Sequence, residues 1–322
     1  MGTGVVMSDG SEPPRSRPRA RWLGFAAVGL VVMLSGVLLL GVGHLDNEHL
    51  GDQRWTSSRS PQARVTPVTK GPSGGSKPVP LYRHFSGDRP LRIYVVGDSV
   101  GGTFARGMKL WADVNGHAQV LDASRMWCPL GRKLPMSHGL GIQLPGPGCD
   151  DWGTRWKHDI EQFDPDVVFV YFSVWEISPR ILPGHKDLVQ PGVAALDAWQ
   201  LSEYRVAADV LSARGAPVVW FTIPCENEPI LKGQPFWYVN RQTVPALAAS
   251  RPSVHVLDLD HELCVRGPSH DYAGVHDARP DGAHFSDAGA FAVANWAMPI
   301  VLGEAPIPKT LDETVPPALP AP

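Results

Sequence analysis

Ser99 lies in VVGDSVGG, Val95 to Gly102, directly behind the apolar run Leu91–Val96. A serine hydroxyl is a weak nucleophile until a neighbouring base takes its proton. The glycines around it allow a sharp turn, and the amides opening the next helix are available to an anion. The base must come from among 12 histidines. His138, His185, His270 and His276 fall in Pro/Gly-rich loops, and His117, His158, His255 and His261 flank ordinary elements, so these read as solvated or structural. His284 differs in its company, Asp281-Gly282-Ala283-His284-Phe285. An Asp three residues before a His on one turn can accept the Nδ1 proton, fix the tautomer and leave Nε2 facing a serine. Ser99, His284 and Asp281 are thus the candidate nucleophile, base and orienting acid.

The elements that must bring them together follow a regular beat. Leu91–Val96, Ala118–Leu121, Asp166–Phe172, Val218–Ile223 and Val254–Leu257 read as short strands. Between and after them, Thr103–Val114, Trp152–Phe163, Ala194–Ala213, Trp237–Ala249 and Ser286–Val301 read as helices, the last with Ser286 as N-cap. The alternation predicts an α/β fold with a doubly wound parallel sheet, whose functional loops sit at the C-terminal strand ends. Gly97-Asp98-Ser99-Val100-Gly101 also fits the G-x-S-x-G turn of α/β-hydrolases. There, however, the serine lies mid-domain and acid and base come from separate loops. Here Ser99 follows the first strand and the acid and base share one turn, which argues against that fold.

The chain of 322 residues is 43% hydrophobic and 19% charged, with a net charge of −3. That suffices for one domain of about 200 residues with appendages, and the balanced charge gives no footprint for nucleic acid. Residues 1–21 carry Arg15, Arg17, Arg19 and Arg21 and read as a basic cytoplasmic tail. Trp22–Gly43 is free of charge and long enough to span a bilayer, with its N-terminal end expected inside and the rest translocated. A cleaved signal peptide is the alternative, against which its length speaks. Residues 44–88 read as a polar tether, 89–303 as the domain, and 304–322 as a Pro-rich tail. The four cysteines suit an oxidising compartment, with Cys128–Cys149 and Cys225–Cys264 as the favoured pairs. None has metal-ligand spacing, and no metal or cofactor is expected.

Gly97-Asp98-Ser99-Val100 after the first strand, and Asp281-Gly-Ala-His284-Phe-Ser before the last helix, resemble the first and last sequence blocks of the SGNH (GDSL) hydrolase superfamily. The resemblance spans Leu91 to Leu302. FDPDVVFVYFSVWEI (Phe163–Ile177), the cysteine-bounded loop and VLDLDHELC (Val256–Cys264) narrow it to SGNH domains of actinobacterial membrane proteins associated with acyltransferases. It implies a flavodoxin-like three-layer α/β/α fold, with Ser99 as nucleophile, His284 as base and Asp281 as its orienter. It also implies an oxyanion hole completed by a glycine amide and an asparagine, and there this chain departs. After the second strand it reads Asp122-Ala-Ser-Arg-Met-Trp-Cys128, and Trp175 of Ser173-Val174-Trp175-Glu176 stands where the asparagine would be. The amide of Ser99, an amide near Ser124–Arg125 and the Trp175 indole N–H are the candidate donors.

Asp98, Trp127, Trp175 and Glu176 are candidate substrate-binding residues. Trp127, Trp152, Trp156 and Trp175 fall in or beside loops expected to ring the site, where they would either stack on a sugar or belong to the core. Glu176 reads as a cap or as a second carboxylate near the histidine. Arg125, Arg132 and Lys133 read as a solvated loop, or as a hold on an anionic substrate. The expected activity is that of a membrane-tethered, extracytoplasmic serine esterase or O-acyltransferase. Its substrates would be acyl esters of cell-envelope carbohydrate, with an envelope acyltransferase as a further partner. The alternatives are a catalytically weak glycan-binding or accessory module, and a cytoplasmic acyltransferase using a thioester donor.

Overall fold

The computed structural model describes residues 78–83, 87–137, 141–225, 236–265 and 269–306. The basic tail, the apolar stretch Trp22–Gly43, most of the tether and the end of the Pro-rich tail lie outside these residues. Among the described residues no helix is long and apolar enough to cross a membrane.

Five parallel strands form one sheet: β1 (Leu91–Gly97), β2 (Ala118–Asp122), β3 (Val167–Tyr171), β4 (Val218–Phe221) and β5 (Val254–Leu257), in the order β2-β1-β3-β4-β5. This is the flavodoxin-like strand order, with its switch point between β1 and β3. Both faces of β1 are covered, as its unbroken apolar run demands. Ile93 and Val95 meet a core built with α1 (Ser99–Asn115) and α6 (Asp287–Val301). Tyr94 and Val96 meet a second core built with α2 (Trp152–Phe163), α3 (Ala194–Leu211) and α4 (Val244–Ser250). Three layers result, with the sheet in the middle.

Three local features place the site. Gly107 lets α1 and α6 touch, since a Cβ there would come within 2.2 Å of the Ala290 backbone. Gly97 and Gly101 bring the β1–α1 turn against β3, with virtual Cβ positions 2.0 and 2.7 Å from the Tyr171 carbonyl oxygen. Ser286 caps α6 as expected, accepting from the Gly289 N–H at 3.2 Å. Both favoured disulfides are present, Cys128–Cys149 and Cys225–Cys264, with Cα separations of 5.0 and 5.9 Å.

Differences from the sequence expectation are instructive. Helix α1 starts at Ser99 rather than Thr103, because the Asp98 carboxylate caps it by accepting from the Val100 N–H at 3.0 Å. The segment read as one helix from Trp237 begins as a turn, Phe236–Tyr238, passes through a π-turn, Val239–Thr243, and becomes α4 with Pro245 in its first turn. A short helix α5 (Leu259–Cys264) went unread. Part of the tether also belongs to the domain: Leu81 is buried in the first core and its N–H donates to the Val301 carbonyl at 2.8 Å.

Candidate active site

Ser99 is the first residue of α1, at the C-terminal end of β1, where main-chain N–H groups lack helical partners. Asp98 beside it is completely buried. One carboxylate oxygen caps α1, and the other accepts the Ser173 N–H at 3.0 Å and lies 3.5 Å from the Ser173 hydroxyl. Burial pushes the Asp98 carboxyl up to about 7, against the opposing amides of Ser173 and Val100. Asp98 therefore welds the nucleophile's turn to the loop after β3, which is a positioning role and not contact with substrate.

Asp281 and His284 form one self-contained turn. Asp281 Oδ1 accepts the N–H groups of Ala283 (2.9 Å) and His284 (2.7 Å), and Oδ2 lies 2.6 Å from His284 Nδ1. Burial would raise the Asp281 carboxyl, but these hydrogen bonds outweigh it and hold it down at about 2. The opposite ring nitrogen, Nε2, is 2.8 Å from Ser99 Oγ, across 185 positions of sequence. With Nδ1–H donating to an ionised Asp281, Nε2 is the free base facing the hydroxyl.

The turn is anchored from behind by Arg279, whose buried guanidinium donates to the Cys225 carbonyl at 2.7 Å and the Ser269 carbonyl at 3.4 Å. The Arg279 carbonyl in turn accepts the Gly282 N–H at 2.9 Å. Cys225 is fixed by its disulfide to Cys264 in α5. Neither Arg279 nor Ser173 was picked out by sequence. The one signal was adjacency, two residues before Asp281 and two after β3.

The oxyanion candidates divide. Ser99 presents an amide in the first turn of α1. The amides of Ser124 and Arg125 do not serve, because they already donate to Asp122 Oδ1 (3.0 Å) and to the Gly97 carbonyl (2.9 Å). The Asp122 side chain thus takes the Ser124 amide in a local turn, and continued pairing of the chain after β2 with β1 takes that of Arg125. Trp127, further along, takes a left-handed backbone (φ 63°), a costly state for a bulky residue. Its neighbour Cys128 is tied to Cys149. No acceptor for the Trp127 N–H occurs among the described residues.

The four tryptophans also separate. Trp152 and Trp156 are core residues, stacked with centroids 4.6 Å apart under the second sheet face, and cannot stack on a ligand. Trp175 is 5% exposed and packs at 5.6 Å against Trp127, which is 59% exposed. Glu176 is neither a cap of its own turn (Val174–Ile177) nor a partner of the histidine. It is buried and accepts from the Leu130 N–H (2.8 Å), the Tyr204 hydroxyl (2.9 Å) and the Gln200 amide (3.5 Å). Buried Arg180 donates to the Trp175 carbonyl at 3.0 Å and the Gly131 carbonyl at 3.4 Å. Together they clamp the Trp175 turn to the cysteine-bounded loop and to α3. Arg132 pairs with Glu203 at 2.7 Å and Arg125 reaches the Gly148 carbonyl at 2.7 Å, so both brace loops; Lys133 is exposed.

No protein-family model and no curated protein matches the chain. Among solved structures it is similar to an acetyl xylan esterase, at 16% identity and TM-score 0.42 over 65% of this chain and 99% of that one. It is similar to the periplasmic domain of a lipopolysaccharide acetyltransferase from Salmonella ser. Paratyphi A, at 13% identity and TM-score 0.43 over 65% and 84%. A GDSL-like lipase from Bacteroides thetaiotaomicron VPI-5482 aligns at 11% identity and TM-score 0.40 over 64% and 86%. Identities and scores this low carry nothing about chemistry, which rests on the distances above.

Proposed function

We propose that this chain is an SGNH-type serine ester hydrolase or O-acyltransferase working through an acyl-Ser99 intermediate. The observation that carries the reading is the unbroken relay Ser99 Oγ, His284, Asp281 at 2.8 and 2.6 Å. Ser99 Oγ attacks the acyl carbonyl carbon while His284 Nε2 takes its proton. The tetrahedral oxyanion collapses, the ester C–O bond breaks, and the leaving alkoxide takes the proton from His284. Water or a sugar hydroxyl then attacks acyl-Ser99, again losing its proton to His284; the acyl–Oγ bond breaks, Ser99 Oγ takes that proton back, and a free acid or a new ester is released. The oxyanion is held by the Ser99 N–H in the first turn of α1.

The substrate is read as acylated cell-envelope carbohydrate, supported by the exposed Trp127 packed on Trp175 and by the sequence order of basic tail, apolar stretch and domain. On that order, Trp22–Gly43 is the membrane anchor, with the domain outside the cytoplasm. A topology reporter fused after Gly43 tests the placement, and activity on the cytoplasmic side would favour a thioester-using enzyme.

A second reading is supported by the spent amides of Ser124 and Arg125: a catalytically weak module that binds glycan beside an envelope acyltransferase. Treating the full chain with a fluorophosphonate probe separates the two. Labelling of wild type, lost in Ser99→Ala and His284→Ala, supports the enzyme. Absence of labelling, with glycan binding unchanged in both variants, supports the accessory module.

A further inference from the structure

A cavity lined by none of the relay residues opens at the start of α3. It has a volume of about 540 Å3 and is lined by Gly192 and Asp197 at the start of α3, and by Trp237, Tyr238 and Gln242 from the turn leading into α4. Its walls are joined to each other by hydrogen bonds within the chain. Asp197 Oδ1 accepts the Gly192 N–H at 2.9 Å and Oδ2 accepts the Tyr238 hydroxyl at 2.5 Å, which locks one wall to the other. Trp237 and Tyr238 stand nearly at right angles, centroids 5.7 Å apart, forming a two-sided aromatic corner. Gln242 belongs to a π-turn, a distortion that recurs at functional sites. That turn is pinned to the chain leaving β4, since Asn240 exchanges two 2.7 Å hydrogen bonds with the Ile223 backbone.

The chemistry of the lining selects its occupant. Both Asp197 oxygens already face donors of the wall, so the carboxylate stiffens the cavity and is not held open for a cation. Gln242 is exposed and supplies an amide donor and acceptor. Flat rings beside a neutral amide suit a ring with apolar C–H faces and hydroxyl edges, which describes a neutral sugar. An acyl chain would call for a closed apolar slot, and an anion for a cation in the wall.

Helix α3 and the π-turn both come in the chain after the C-terminal ends of strands, as Ser99 does, and ligands of such sheets bind outside those ends. We propose that this cavity is a distal carbohydrate subsite: it holds a neutral sugar residue of the same glycan whose ester is presented to Ser99. The inference rests on the esterase reading above.

The test compares the full chain on p-nitrophenyl acetate, which has no sugar, and on O-acetylated xylo-oligosaccharides. Trp237→Ala and Gln242→Ala are expected to raise KM for the oligosaccharides, by about tenfold for the tryptophan. The constants for p-nitrophenyl acetate should not move, and Trp237→Phe should restore most of the loss. An unchanged oligosaccharide KM in both variants overturns the subsite, as does an equal loss on both substrates, which would make Trp237 a folding residue. Turnover of p-nitrophenyl acetate without saturable oligosaccharide hydrolysis also overturns it while leaving the esterase standing. Turnover of neither substrate by wild type removes the esterase reading and the subsite with it.

Discussion

Asp98 and Ser173 are joined across the switch point of the sheet, the Ser173 N–H donating to Asp98 Oδ2 at 3.0 Å. The bond couples the residue before the nucleophile to the loop that carries Trp175 and Glu176. In Asp98→Asn the new amide group must face a donor at Ser173 or at Val100. We expect a loss of about 1–3 kcal/mol in stability, together with reduced turnover. The wild-type carboxyl, raised to about 7 by burial, keeps its proton in the folded state at pH values where the unfolded chain has lost it. The native form binds more protons between about pH 4 and 7, so wild-type stability falls as pH rises through that window. Asp98→Asn lacks this slope. Thermal melts of both proteins at several pH values should show their Tm gap shrinking toward pH 7, and a constant gap would contradict the assignment.

Removal of Ser99 or His284 should abolish ester turnover, and Asp281→Asn should lower kcat by about 10^4-fold by favouring the wrong tautomer. Because Asp281 is held down at about 2, it stays ionised through the working range. Any acid limb of the rate profile above about pH 4 must then belong to another group. Steady-state kinetics on p-nitrophenyl acetate at a series of pH values checks both points.

The two disulfides should have separable effects. Cys225–Cys264 fixes the carbonyl that Arg279 grips behind the base, so its removal is expected to lower kcat with little change in KM. Cys128–Cys149 frames the loop bearing Trp127, so its removal should raise KM. Each double Cys→Ser variant should also lose stability, about 3–4 kcal/mol on the loop-entropy model. The same KM and kcat pattern in both variants would show that neither bridge addresses a particular part of the site.

Glu176→Ala leaves the buried Tyr204 hydroxyl and Leu130 N–H without their shared acceptor and removes the negative charge that offsets the burial of Arg180. We expect a loss of about 3–5 kcal/mol, with Glu176→Gln milder because it keeps one acceptor. Urea denaturation ranks the two, and equal midpoints for both variants would remove the clamp.

The strands and the catalytic turn were legible because their signals are local. Apolar runs mark strands covered on both faces, and Asp281 and His284 recognise each other within four residues. What was misread depends on partners remote in sequence. Glu176 meets Leu130, Gln200 and Tyr204 only after the layers close. Arg125 loses its amide to Gly97 because the β2 ladder runs past its apolar stretch. Trp152 and Trp156 did carry a readable signal, falling with Ile160 on one helical stripe, the mark of a core face. Leu81 sits in a Pro-rich stretch whose composition hides a packed residue.

The acid and base sit on a single four-residue turn, and this has a mechanical consequence. The choice of tautomer is settled inside that turn, through the Asp281 bonds to the His284 ring and amide, and owes nothing to the rest of the fold. The packing of the layers has one distance left to set, the 2.8 Å from the imidazole to the hydroxyl.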